Sequence, residues 1–177
     1  MKFKYIGCNH TAREKFYEKN LPEGSPTYLF LNIKSRAVFV INGKTQIVEP
    51  DSIILYNKGT PQYYKYYEDE NGEIECYAND WIHFEATDEE IKNFNIPMDT
   101  IITLKNTNEI SMLIEKMMHI FYSNSTMKNE KMTQYMILIF YEIADILNKH
   151  DSDYSSYQDA LYNLRSKLRE DHPSGAL

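Results

Sequence analysis

The spacing of hydrophobic and polar positions changes once along this chain, near residue 86. Before that point large apolar residues alternate with polar ones in short runs. After it they recur every three or four residues, the period of a helix face. The first run sets Tyr28, Phe30 and Asn32 against Leu29, Leu31 and Ile33, and runs at 37–41, 45–48, 53–56, 62–67 and 74–84 follow. Turn formers separate them, among them Asn42-Gly43 and Asn71-Gly72. Asn-Gly is a strong hairpin signal because both central residues of a tight hairpin turn need positive φ. Short strands at ~8–12-residue spacing predict an antiparallel sandwich or barrel. Residues 1–25 show little regular pattern, and 21–26 read as a loop.

Beyond residue 86 helices are predicted. Thr87-Asp88-Glu89-Glu90 has the form of a capping box opening a short helix that ends at Ile96-Pro97. Residues 101–104 are a short extended stretch. A helix over 109–122 places Ile110, Leu113, Ile114, Met117 and Phe121 on one face. A longer one over 128–148 carries Met132, Met136, Ile139, Phe140 and Ile143 in its main stripe, with Leu138 and Tyr141 adding apolar surface elsewhere. A helix apolar on more than one face needs more than one partner. A polar linker follows, then a last stripe at Ala160, Leu161, Leu164 and Leu168. The expected class is therefore α+β: an N-terminal antiparallel barrel followed by C-terminal helices, including an antiparallel helix pair.

Composition narrows the function. The chain has 177 residues, a net charge of −7 and no apolar run long enough for a membrane span or a signal segment. A cytoplasmic location is expected. The acidic balance argues against DNA contact by this part, since phosphate binding needs clustered Lys and Arg. Cys8 and Cys76 do not form a disulfide framework or a Cys-x-x-Cys pair.

Candidate chemistry centres on residues 77–85. Strand geometry puts Tyr77, Asn79, Trp81 and His83 on one face, opposite Ala78, Asp80, Ile82 and Phe84. An aromatic plane between amide and imidazole groups suits a small polar ring. Gln62, Tyr64 and Tyr66 form a similar row. Periodicity alone leaves Trp81 open as either core or pocket wall. His83-x-Glu85 offers two metal ligands, too few for a site, so no metal and no cofactor are expected. No nucleophile motif or Gly-rich phosphate loop is present.

Taken in order, residues 28–33, Val40-Ile41-Asn42-Gly43-Lys44, residues 48–56, Gly59-Thr60-Pro61-Gln62-Tyr63-Tyr64 and Asp80-Trp81-Ile82-His83-Phe84-Glu85 resemble the N-terminal sensing domain of AraC-family transcriptional regulators. The resemblance covers roughly 5–170. The chain departs from the family pattern at Pro50-Asp51-Ser52, at Gln62 in place of a His, and at Ser35-Arg36-Ala37 in place of a Gly. The resemblance implies a cupin-like β-barrel over 1–86 that binds a small polar effector such as a sugar. Trp81, Asn79 and Tyr64 fall on the pocket positions of sugar-responsive relatives, with Lys15 or Lys19 as an upstream cation; Gln62, Tyr28 and His83 complete the expected ligand set. It further implies a helical homodimerisation region over 87–150, with Met132, Met136, Ile139, Phe140, Tyr141 and Ile143 at the interface. Residues 151–177 would be a linker and the first helix of a helix-turn-helix half lying beyond this chain, through which alone DNA would be bound. A transcription regulator, not an enzyme, is thus expected. The competing expectations are a cupin-type metal enzyme (isomerase or dioxygenase) and a ligand-free barrel acting through protein contacts.

Overall fold

A computed structural model describes the backbone of residues 1–151 and side chains through Asn148. The last helical stripe, at 160–168, lies outside the described residues. The strands are β1 (Lys2–Thr11), β2 (Glu18–Leu21), β3 (Tyr28–Ile33), β4 (Ala37–Ile41), β5 (Lys44–Val48), β6 (Ser52–Tyr56), β7 (Gln62–Glu68), β8 (Ile74–Glu75), β9 (Ala78–Glu85) and β10 (Ile102–Thr103). The helices are α1 (Asp88–Lys92), α2 (Asn108–Phe121) and α3 (Lys128–Asp151).

The strands make two antiparallel sheets. One has the order β1-β9-β3-β6-β10 and the other β2-β7-β4-β5, with β8 paired to β7. Among the described residues no ladder joins them, so the expected closed barrel is instead an open two-sheet sandwich. Cys76 and Tyr77 carry the chain from one sheet to the other. The single strand expected over 74–84 is therefore two strands in different sheets.

The helices cover the outer face of the first sheet, giving three layers. That sheet is buried on both sides, which is why β3 and β6 are wholly buried and nearly continuous in apolar residues. Leu29, Leu31, Ile33, Ile54 and Tyr56 face the second sheet, against Phe39, Val48 and Tyr64. Tyr28, Phe30, Ile53, Leu55, Ile82 and Phe84 face the helices, against Ile110, Ile114, Met117, Met132, Met136, Ile139, Phe140 and Ile143. The second sheet has a solvated outer face, and β5 is exposed along most of its length.

This packing corrects the expected dimer interface. Met132, Met136, Ile139, Phe140 and Ile143 are buried within the single chain, where they close the core over β1, β9 and α2. Only Tyr141 of the six is exposed, at 57%, beside Leu138 at 48%.

Local signals hold well where they rest on turn chemistry. Asn42 and Gly43 have φ of 52° and 74°, as the hairpin requires, and Lys44 pairs with Ile41. Asn71-Gly72 sits in a longer loop between Glu68 and Ile74. Thr87 and Glu90 form the expected capping box. At Pro50-Asp51-Ser52, Asp51 takes a φ of 58°, a conformation Asp adopts more readily than most residues. Its carboxylate accepts hydrogen bonds from the Thr107 N–H (2.8 Å) and hydroxyl (2.9 Å), tying the β5–β6 turn to the start of α2.

The expectation of little regular pattern over residues 1–25 is overturned by β1 and β2. The register of β1 against β9 shifts between Phe3 and Tyr5 and again between Gly7 and His10. Each bulge resets the two-residue period, so Phe3 and Ile6 both point inward and no alternation shows in the sequence.

Candidate functional site

Strand β9 presents Asn79, Trp81 and His83 toward the second sheet, and β7 presents Gln62 and Tyr64 back toward it. Between these rows lies a cavity of about 270 Å³. The two rows, read from sequence as similar, thus face each other across the hollow. Leu29 and Leu31 of β3 line one wall, and His10, Tyr17, Lys19 and Leu21 complete the lining from the N-terminal segment. Five of the six expected ligand residues meet here: Trp81, Asn79, Tyr64, Gln62 and His83.

Tyr28 does not, and this corrects its assignment. It lies on the opposite face of the first sheet, stacked on Phe84 at 5.6 Å between ring centres. Its hydroxyl donates to Asp88 at 2.6 Å, and the Lys58 ammonium sits 4.7 Å from its ring centre. In a sheet buried on both sides an aromatic residue is equally suited to either face, so residue type does not choose between them; strand parity does.

The cavity wall carries polar atoms without partners. Gln62 is 1% exposed, and neither its Nε2 nor its Oε1 has a hydrogen-bond partner. Asn79 Oδ1, and the buried hydroxyls of Tyr77 and Tyr56 nearby, also lack one. A buried amide left unpaired costs about 1–3 kcal/mol, so such groups normally bond water or a ligand.

The aromatic residues form a fixed frame. Tyr17 lies parallel to Tyr77 with ring centres 5.2 Å apart, and Tyr64 stacks on Phe39 at 5.1 Å. Burial raises the pKa of Tyr64 and of Tyr17, so both stay neutral hydroxyls. Trp81 crosses β1 at Gly7, its register partner. A Cβ at Gly7 would lie 2.8 Å from Trp81 Cζ2 and closer still to Nε1 and Cε2, so glycine there is what lets the indole lie flat. The Nδ1 of His83 meets the hydroxyls of Thr27 (3.0 Å) and Ser25 (3.3 Å). Its pKa is lowered from 6.5, chiefly by burial and secondarily by Lys19. Glu85 is turned away and pairs with Lys4 at 2.8 Å.

The reverse face of β9 contrasts with this. Asp80 is fully buried, and its carboxylate accepts from the Asn9 N–H (2.6 Å), Asn32 Nδ2 (2.9 Å) and Ser111 Oγ (2.9 Å) and pairs with Lys34 Nζ (2.9 Å). It joins β1, β3, β9 and α2 at one point. Cys8 nearby has its thiol pKa pushed up to about 11, first by burial and then by Asp80, which keeps it protonated. A larger hollow of about 540 Å³ lies beside α2, but polar groups on it, Asp51, Thr107 and Ser111, already have partners.

Sequence reading missed Tyr17, His10, Gly7 and the saturated Asp80 cluster, and chose between Lys15 and Lys19 only as alternatives. The structure places Lys19 on the cavity and Lys15 off it. The bulged β1 hid the N-terminal contributors. The missed clue for Asp80 was a lone carboxylate on the apolar side of an alternating strand.

No family model matches the chain, and no curated protein matches it. Among solved structures, the crystal structure of apo ToxT K231A from Vibrio cholerae strain SCE256 is similar, with a TM-score of 0.53 at 9% identity. The match covers 87% of this chain and 59% of that one, so the chain spans little more than half of its neighbour's length. ToxT is an AraC-family regulator. At that identity the likeness is one of fold: antiparallel sheets followed by helices, arranged as in a regulator of that family. Among the described residues no helix is long and apolar enough to cross a membrane.

Proposed function

We propose that this chain is the sensing part of a transcription regulator and holds a small polar molecule, of the sugar class or similar, between its two sheets. The observation that carries the reading is the Gln62 amide, buried on the cavity wall with both ends unpartnered. Trp81 supplies a flat apolar surface, Asn79 and Gln62 supply donors and acceptors, and Tyr64, Tyr17 and His83 close the sides. The fold likeness to ToxT supports a regulatory role over an enzymatic one. DNA contact would fall to a part of the protein beyond the described residues.

Ligand occupancy would be reported through β9. Asn79 and Trp81 flank Asp80, whose carboxylate bonds Ser111 of α2. A ligand that orders the cavity face of β9 therefore acts on the strand that anchors α2, provided its affinity differs between two states of that anchor. Self-association would use the outward face of α3 at Leu138 and Tyr141, not the buried stripe. Sedimentation of Tyr141→Glu, which leaves the core intact, should show weakened association; an unchanged dimer contradicts that face.

A thermal-shift screen of small polar metabolites tests the main reading. A ligand at about a hundred times its Kd adds about 2.7 kcal/mol, or several degrees in a chain of this size. The expected shift disappears in Trp81→Ala. A shift that survives Trp81→Ala, or none across a broad panel, contradicts the reading.

A further inference from the structure

We infer that the molecule held between the sheets is uncharged and has two parts. Its polar ring fills the cavity at Trp81, and an apolar substituent, joined through an ether oxygen, passes Gln62 into a second hollow, as in a glycoside of an aromatic alcohol. The inference rests on the sensing role proposed above and goes beyond it by giving the ligand a second part and a second subsite.

The second hollow measures about 420 Å³. Strand parity puts it on the other side of the second sheet. Lys19, Leu21 and Tyr64 line the first cavity, whereas Asn20, its register partner Tyr63, and Val40, which pairs with Tyr63 in turn, line the second. Gln62 lines both. The sheet is open beside it: the β4–β7 ladder stops at Val40–Tyr63, although β4 runs on to Ile41. Pro61, one residue further out, has no N–H with which to resume the ladder. The Gln62 side chain is thus the partition between the two hollows. Nothing fastens it: neither amide atom has a hydrogen-bond partner, so turning the side chain aside breaks no bond.

The linings set the chemistry of each part. No Asp, Glu, Lys, Arg or His lines the second hollow, which suits an uncharged group, and Pro22, Pro61, Val40 and Tyr63 give it apolar walls. At the partition the Gln62 Nε2 is free to donate to the ether oxygen and its Oε1 to accept from a ring hydroxyl. A plain sugar satisfies the amide as well but leaves the apolar walls uncovered. Size points the same way. At about 270 Å³ the first cavity falls short of the ~300–1,000 Å³ of small-molecule pockets, and joined to the second it lies within that range.

Matched glycosides isolate the second part. The full chain is titrated with the methyl and phenyl β-glycosides of glucose, galactose and xylose, following the fluorescence of Trp81, the only tryptophan. For a sugar that binds, the phenyl glycoside should bind at least about tenfold more tightly than the methyl one. Val40→Glu and Thr60→Glu each put a charge on the second hollow. Either should bring the two members within about threefold while leaving the methyl glycoside unchanged. Lys65→Glu, on the same sheet face but outside the hollow, should change neither. Equal or weaker binding of the phenyl member, or a phenyl advantage that survives both variants, overturns the inference and leaves the sensing role standing. So does a loss shared by both members in variants whose unfolding midpoint is unchanged. Silence from all the glycosides counts against both.

Discussion

The two sides of β9 hold buried polar groups in different conditions. On the helix side Asp80 is buried with four partners; on the cavity side Gln62 of β7 and Asn79 of β9 are buried with unsatisfied atoms. Burial is nearly equal on the two sides. The Asp80 carboxylate has all its partners, with Asn32 Oδ1 beside it unpaired, while the unpaired amide atoms of Gln62 and Asn79 border a cavity. A saturated buried charge locks neighbouring elements together, whereas an unsaturated amide on a cavity wall stays costly until something enters. One strand thus carries a fully partnered carboxylate on one side and an unpartnered amide oxygen on the other.

The largest effect should come from breaking the saturated side. Asp80→Ala leaves Lys34, Asn32 and Ser111 facing a void and should cost about 3–5 kcal/mol in urea unfolding. A loss under about 1 kcal/mol would mean that the cluster does not lock α2 to the sheet. Next is Gly7→Ala, which drives a methyl into the Trp81 indole. It should cost about 1–3 kcal/mol and shift the Trp81 emission; an unchanged spectrum would show that the indole does not rest on Gly7.

A smaller effect concerns pH. Because the folded-state pKa of His83 is lowered from 6.5, the unfolded chain takes up that proton first on acidification. The His83 contribution is full above pH 6.5 and is lost as pH falls through 6.5 toward the folded value. His83→Gln should flatten the decline of thermal stability over that window. An equally steep decline in the variant would remove His83 as its source.

The same contrast explains what the sequence made legible. The cavity rows at 62–64 and 79–83 were readable because strand parity sorts alternate residues cleanly, and the hairpins because Asn-Gly has one favoured use. Parity groups Tyr28 with Phe30 and Asn32, but does not say which face of β3 meets the cavity; in the structure all three face the helices. Tyr17 and His10 were hidden by the bulged β1 and its irregular link to β2. Met136, Ile139 and Phe140 were misread as an interface because an apolar helix stripe looks the same whether its partner is a sheet of the same chain or another molecule. The open sandwich was not distinguishable from a barrel, since strand spacing does not record whether the last ladder closes.

The most direct test of the account is the unfolding free energy of Gln62→Leu, which keeps side-chain volume and removes the unpaired amide. The account predicts stability equal to or above that of the unaltered chain, since no hydrogen bond is lost and an unsatisfied group is removed. A fall comparable to that of Asp80→Ala would contradict it, placing Gln62 among the structural groups and leaving the cavity face of β9 without its claim to a ligand.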